Sequence, residues 1–344
     1  MDPHKRQILV TGATGFVGQA VVSFLVQSGY NPRGLARETG DTTTLERMQP
    51  NVAVHRGDLT DKRSLVAAMD GCDWVLNCAG LNSFWESDAQ FFHQSNVEGT
   101  RNVMEAALEA RVSKVVHVST AMAYGFPETS PFDEQSEPGI HVSEYARSKY
   151  EGDRIAWELH KTSGLPLVVV YLAAVVGAGD RKAVMQISRF LRGQIPAMID
   201  SQSQFTYVHV GDAAKAIVRA AEKEGNEGER YLVGNQRLTT MEYFGIISQV
   251  SGVAMPRWTI GRRTALLFSR LMSGWARLTK SPPLMPYDLM RTAYQGSLLF
   301  DGSKAERDLG ISYTPVRVAL EEAIGDVTEQ DAQVDKSLLE TGSR

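Results

Sequence analysis

Tyr145-Ala-Arg-Ser-Lys149 places a phenol and an ammonium four residues apart, so on a helix both lie on one face. A positive charge beside a phenol stabilises phenolate and is expected to draw the tyrosine pKa down towards neutrality. A general acid/base that interconverts a carbonyl and an alcohol needs that property. Tyr-x-x-x-Lys also arises by chance, and its weight here comes from position. It follows a β-rich run ending in Ser119-Thr120, whose hydroxyl would hold a substrate oxygen beside the phenol.

A second constellation lies near the start. Thr11-Gly12-Ala13-Thr14-Gly15-Phe16-Val17-Gly18 joins an apolar run at 8–11 to a helical pattern of Phe16, Val17, Ala20, Val21, Phe24 and Leu25. Glycines at a strand–helix junction let the backbone turn tightly and approach a pyrophosphate, whose charge meets the free N–H groups of the helix start. The spacing is G-x-x-G-x-x-G rather than G-x-G-x-x-G, and the bland reading is an ordinary βα turn. Its place on the first junction favours dinucleotide binding. After the second strand, Gly34-Leu35-Ala36, comes Arg37, with Arg33 on the same face. An arginine there suits a ribose 2′-phosphate and an acid suits a free 2′-hydroxyl, so NADP(H) is favoured over NAD(H), with Glu38 next door as the ambiguity. Asp58, in Gly57-Asp58-Leu59, is placed to accept a hydrogen bond from an adenine amino group or to cap the helix that follows.

These groups need a frame. Short β-rich runs at 8–11, 52–55, 74–78, 115–119 and 167–172 alternate with helical segments at 61–69, 88–110 and 143–163. The alternation predicts an α/β, Rossmann-type doubly wound parallel sheet covered on both faces. Further on, 181–192 and 212–222 read as helices and 230–233 as a strand. The expected division is a dinucleotide-binding domain of 1–176 plus 204–234, a smaller, mostly helical substrate region of 177–203 plus 235–327, and a flexible tail over 328–344. The 344 residues are 43 % hydrophobic, enough for a sizeable core, and 36 basic against 40 acidic side chains argue against nucleic-acid binding. Two cysteines, Cys72 and Cys78, exclude a disulfide scaffold and a cysteine zinc site, and the seven histidines show no metal-ligand spacing, so no metal is expected. With no signal-peptide core and no run of the roughly 18 apolar residues that a membrane span needs, the expected setting is cytoplasmic.

The glycine turn, Gly57-Asp58-Leu59, Asn77-Cys78-Ala79-Gly80, Asn96-Val97-Glu98-Gly99-Thr100, Val118-Ser119-Thr120 and Tyr145-x-x-x-Lys149 follow one another in the order of the extended short-chain dehydrogenase/reductases. The chain resembles their branch of dihydroflavonol 4-reductase-like, 3β-hydroxysteroid-dehydrogenase-like and hopanoid-associated sugar-epimerase-like proteins from about residue 7 to 325. The resemblance implies that Thr120 orients the substrate oxygen, Tyr145 is the acid/base, and Lys149 binds the nicotinamide ribose and tunes Tyr145. It places the cofactor against Gly12, Thr14, Gly15, Phe16, Val17 and Gly18, with Arg37, Asp58 and Leu59 at the adenosine end. Cys78, Ala79, Gly80, Asn96, Ser119, Leu172 and Val175 would complete that site. For Asn96 a purely structural role weighs as much.

Departures from the family pattern discriminate among reactions. Ala121 and Met122 stand where related dehydratases carry an acidic pair, and Tyr171–Gly177 lacks the asparagine with which related epimerases meet a diphosphate. An apolar wall suits a hydrophobic or small carbonyl substrate, with Phe84, Met122 and Tyr124 as candidate lining residues. An NAD(P)-dependent oxidoreductase acting on a small-molecule CH–OH group is therefore the reading taken. An NAD-dependent nucleotide-sugar epimerase is the alternative, and a non-catalytic dinucleotide sensor the third. Family likeness also implies a homodimer through the helices at 88–110 and 143–163. His209 and Asp212 look like partners, but Asp212 is read as a helix cap.

Segment 256–286 holds six basic residues, Arg257, Arg262, Arg263, Arg270, Arg277 and Lys280, and no acid, interleaved with Leu266, Leu267, Phe268, Leu271, Met272 and Trp275. It reads as a basic amphipathic helix, its apolar residues either lining the pocket or packing at a domain interface. A solvated basic face packed on the main domain is the favoured reading. Contact of 257–280 with a membrane surface is the less favoured one.

Overall fold

A computed structural model describes residues 6–341 of the chain. Ile8–Thr11 (β1) is buried at every position, as a strand is only when helices cover both faces of its sheet. Around it lie Arg33–Ala36 (β2), Ala53–Arg56 (β3), Trp74–Asn77 (β4), Lys114–Thr120 (β5) and Leu167–Leu172 (β6). Chain order then continues with Ala174–Val176 (β7), Ala197–Ile199 (β8), Gln204–His209 (β9) and Arg230–Val233 (β10). The main sheet runs β10-β6-β5-β4-β1-β2-β3 and is parallel throughout, which is the doubly wound architecture expected. Between β1 and β4 the winding reverses direction. Ligands of such sheets bind beyond the carboxyl ends of the strands at that point, and the register aligns Thr11 with Asn77 and Asn77 with His117 there.

The helix read at 88–110 is interrupted. A short turn, Gln90–Phe92, passes into a π-helical stretch at His93–Glu98 before the α-helix Gly99–Ala110 begins. The helix Glu144–Ser163 starts on a Ser143 side-chain cap and ends at Gly164 in the left-handed conformation. Gly152 sets its distance from the π-helical stretch, because a Cβ there would lie 2.2 Å from the carbonyl oxygen of Asn96.

The second half contains more strand than the sequence suggests. Gln236–Thr239 (β11) joins β9 and β7 in a three-stranded sheet, and Trp258–Ile260 (β12) pairs with β8. A separate core gathers Ile187, Phe190, Met198, Phe244, Ile247, Val316 and Leu320. The helix Val210–Glu222 is capped by His209 rather than by Asp212, whose carboxylate instead accepts hydrogen bonds from Thr314. The last helix, Val316–Thr341, follows Pro315 and buries Val316, Ala319, Leu320, Ala323, Ile324 and Val327. Once such a face has nucleated a helix, each added residue gains a hydrogen bond, and the stretch from Thr328 read as a tail continues as helix to Thr341. Residues 342–344 of that tail lie outside the described residues.

Candidate active site

The glycine turn is built for close approach. Gly12 has φ +64°, and a Cβ on it would sit 2.8 Å from the Ala79 backbone; one on Gly18 would sit 2.0 Å from the Gly12 oxygen. The helix Phe16–Gln27 therefore starts tight against β1 and β4. Its N-cap, Gly15, makes no side-chain hydrogen bond and its first turn carries no acid. The N–H groups of that turn, positive end of the helix dipole included, are left for an anion. Thr14, Phe16 and Val17 are half-buried around it, and Thr14 is held by a hydrogen bond from Gln19 to its carbonyl. A dinucleotide pyrophosphate fits this cradle, whose tight turn a side chain at Gly12 or Gly18 would break by meeting backbone atoms.

Arg37 and Arg33, read together from the sequence, separate in space. Arg33 opens β2 at the far end of the sheet and donates to the carbonyls of Ala68 and Asp70 at the end of the helix Lys62–Met69. It is therefore no part of this site. Arg37 follows β2 on the glycine-turn side and is exposed, and among the described residues its guanidinium makes no hydrogen bond or ion pair. Arg56, which the sequence reading passed over, shapes its loop by donating to the carbonyls of Arg37 and Gly40. Asp58 accepts from the backbone N–H and the hydroxyl of Thr60, bonds that hold its carboxyl below the usual range. The cap of the next helix is Asp61, not Asp58. Leu59 packs on Gly99, and its carbonyl accepts from Asn102.

Beyond β4, Cys78, Ala79 and Gly80 lead away from the turn. The Thr11 hydroxyl accepts from the Ala79 N–H at 3.3 Å, and burial pushes the Cys78 thiol up to about 12, leaving it inert. Asn96 is 1 % exposed, and its side chain clamps the loop after β4: Oδ1 accepts from the Leu81 N–H at 2.7 Å, while Nδ2 donates to the Leu81 carbonyl and to Ser148 Oγ. Both of its N–H groups are thus engaged by protein, which is the structural of the two roles weighed for it. The π-helical turn and Gly152 bring it within reach of Ser148.

Tyr145, Lys149 and Thr120 converge at the carboxyl edge of β5, with 8 %, 6 % and 9 % of their surfaces exposed. The Tyr145 phenol lies near the Thr120 hydroxyl, which works to lower its pKa. The Lys149 ammonium donates to the Val118 carbonyl at 3.1 Å, and it lies 3.8 Å from where a Gly80 Cβ would stand. Here the expectation of a lowered tyrosine pKa fails. Burial pushes the Tyr145 phenol up to about 12, against a smaller opposing effect of Thr120, and the Asp153 carboxylate adds to the rise. Burial likewise lowers the Lys149 pKa, while Asp153 works in the other direction. Removal from water outweighs the neighbouring charge because the phenol is almost wholly enclosed.

Behind these three runs a buried polar chain that the motifs did not announce. Thr11 Oγ1 donates to Asn77 Oδ1, Asn77 Nδ2 meets His117 Nδ1, and His117 Nε2 meets Asp153 Oδ1 at 3.1 Å. Ser119 closes the chain by donating to Asp153 Oδ2 at 2.7 Å, which engages a hydroxyl expected to face the cofactor. Burial lowers the His117 pKa, so its imidazole is neutral. Two signals were present in the sequence: a histidine set among the valines of Lys114–Thr120, and an aspartate four residues after Lys149 on the same helix face.

Of the substrate candidates, Phe84 sets its ring edge-on to Tyr145 with centroids 6.1 Å apart. Met122 is half-buried and its backbone N–H donates to Thr120 Oγ1. Tyr124 does not line the site. It is 3 % exposed, stacked on Phe132 and set edge-on to Tyr171, because the 3₁₀ turn Ala121–Tyr124 swings it into the core. Leu172 is buried at the end of β6, and Val175 lies in β7 opposite Val208. Of the large apolar residues of the basic segment, Leu267, Phe268, Leu271 and Trp275 are all more than half exposed, while Leu266 and Met272 are half-buried.

A switch-point glycine turn and a buried Tyr-Lys-Thr cluster on one sheet edge are the layout of a dinucleotide-dependent oxidoreductase acting on CH–OH groups. The chain belongs to the NAD dependent epimerase/dehydratase family, whose model matches residues 8–234. It is 32 % identical over 342 residues to sterol demethylase protein B of Methylococcus capsulatus, covering 92 % of this chain and 96 % of that one. It is 29 % identical to cinnamoyl-CoA reductase 1 of Petunia hybrida, over 94 % of this chain and 92 % of the relative. The crystal structure of gox2253 superposes with a TM-score of 0.81 at 30 % identity, over 95 % of this chain and 99 % of that one.

Proposed function

We propose that this protein is an NADP(H)-preferring reductase of a hydrophobic carbonyl compound, with Tyr145 as proton donor. The observation that carries the reading is the burial of Tyr145 together with Thr120 and Lys149 at the carboxyl edge of β5, with Phe84 edge-on to the phenol ring. A bound nicotinamide dinucleotide would supply the hydride. Thr120 holds the substrate oxygen, and Tyr145 gives its proton to that oxygen as negative charge develops on it. A phenol kept protonated by burial is in the form this step requires. Lys149 and Asn96 keep the loop after β4 and the helix Glu144–Ser163 in register with the sheet edge. Names of relatives support a hydrophobic substrate, since those above are called a sterol demethylase protein and a cinnamoyl-CoA reductase.

The 2′-phosphate preference rests on Arg37, exposed beside the glycine turn. Arg37→Ala is expected to weaken NADPH about 10- to 100-fold and NADH little, as loss of a charge-assisted contact would. The reading is tested by denaturing dialysed protein and identifying any released dinucleotide by mass spectrometry. Exchangeable NADP(H) or none supports the reductase, whereas stoichiometric NAD points to a self-contained epimerase.

A further inference from the structure

The helix Arg262–Thr279 is inverted with respect to ordinary amphipathic packing. The residues it buries are small ones, Ala265, Ser269, Ser273 and Ala276, turned towards the helix Tyr287–Gln295, whose first N–H donates to Ser273 Oγ. Most of its large apolar residues face solvent instead, Leu266 and Met272 being half-buried: Leu267 is 63 % exposed, Leu271 64 %, Trp275 69 % and Leu278 80 %. At 3.6 residues per turn these four and Phe268 fall within an arc of roughly 100°. Arg263, Arg270 and Arg277, spaced seven apart, form a row between that arc and the buried face. Trp258, just before the helix, is 75 % exposed, and Leu284, just after it, 57 %. An apolar stripe of this extent on a soluble surface marks an interaction site.

We propose that this face docks the protein on an anionic phospholipid surface. The charge of the segment selects the occupant. Six cations and no acid stand between residues 256 and 286 of a chain whose net charge is −4, so the face is a cationic island on an otherwise acidic molecule. Among the described residues, none of the six is paired with a carboxylate. Leucine, phenylalanine and tryptophan enter the boundary between headgroups and acyl chains, while flanking arginines reach the phosphates along their own apolar stems. A second copy of the chain fits worse, because a two-fold contact through this face doubles its six cations and supplies no acid from the segment to offset them. No described helix is long and apolar enough to cross a membrane, so the contact is interfacial. The inference is independent of the reaction proposed above.

The experiment is flotation of the full chain with vesicles of phosphatidylcholine alone or of phosphatidylcholine with phosphatidylglycerol. Binding is expected only to the second kind and is expected to fall with added salt. R263Q/R270Q/R277Q should weaken it about 100-fold, as three lost basic contacts with an anionic surface imply. L271S/W275S/L278S should abolish it while leaving the melting temperature unchanged, which separates lost docking from lost folding. Absence of wild-type binding to anionic vesicles, equal binding to neutral ones, or unchanged binding of either variant overturns the proposal. Sedimentation that shows a dimer dispersed by L271S/W275S/L278S overturns it in favour of a second copy.

Discussion

Two long helices of this molecule break the rule of apolar inside and polar outside, in opposite directions. Glu144–Ser163 buries a phenol, an ammonium and a carboxylate, Tyr145, Lys149 and Asp153. Arg262–Thr279 leaves three of its four leucines, its phenylalanine and its tryptophan in solvent and buries alanine and serine. Each departure costs stability, by desolvating charge in one case and by forgoing apolar burial in the other. Such departures concentrate where a site needs them, and chemistry asks for the first kind as docking asks for the second. In the first helix the buried groups are all partnered by other parts of the fold. In the second the exposed groups have no partner among the described residues.

That contrast predicts unequal responses to substitution. Tyr145→Phe should lower turnover about 100- to 10,000-fold, the usual worth of a positioned proton donor, with dinucleotide affinity retained; steady-state kinetics and a binding titration check both halves. Asp153→Ala leaves His117 and Ser119 without their acceptor and should lower unfolding stability by about 2–4 kcal/mol, read from denaturant midpoints. Acidification probes the same network more gently. Because His117 in the folded protein has a pKa below its ordinary 6.5, the unfolded chain binds more protons as pH falls past that value, and stability should decline there. Its replacement by Gln should flatten that decline. Leu271→Ser with Trp275→Ser should shift unfolding by no more than about 0.5 kcal/mol, since neither side chain is buried. A loss of several kcal/mol in that variant would mean that the face is covered by the protein itself.

Much of the fold was legible because its signals are local. The apolar runs at 167–172 and 230–233 coincide with β6 and β10, and the glycine turn lies where strand passes into helix. What escaped depended on encounters between distant segments. β9 and β11, Gln204–His209 and Gln236–Thr239, interleave polar residues with apolar ones where β6 is an apolar run, β7, β8 and β12 are three residues each, and these five strands pair with one another rather than with the main sheet. The π-helical turn at His93–Glu98 looks like ordinary helix in sequence, because what it accommodates is Asn96 reaching Leu81 and Ser148. Tyr124 read as a pocket residue, for nothing local says that a 3₁₀ turn carries it onto Phe132.

The sequence by itself determined the class of sheet, the place of the glycine turn and the pairing of Tyr145 with Lys149 on one helix face, since each follows from local patterning and spacing along the chain. Tertiary structure decided the rest. It set the protonation of Tyr145, because burial is a property of the enclosing segments and outweighs the charge four residues away. It also divided Arg33 from Arg37, whose fates diverge because a strand carries its two ends to opposite edges of the sheet. And it chose which face of Arg262–Thr279 meets the protein, for the small residues of that helix allow the close approach to Tyr287–Gln295 that its leucines and tryptophan would prevent.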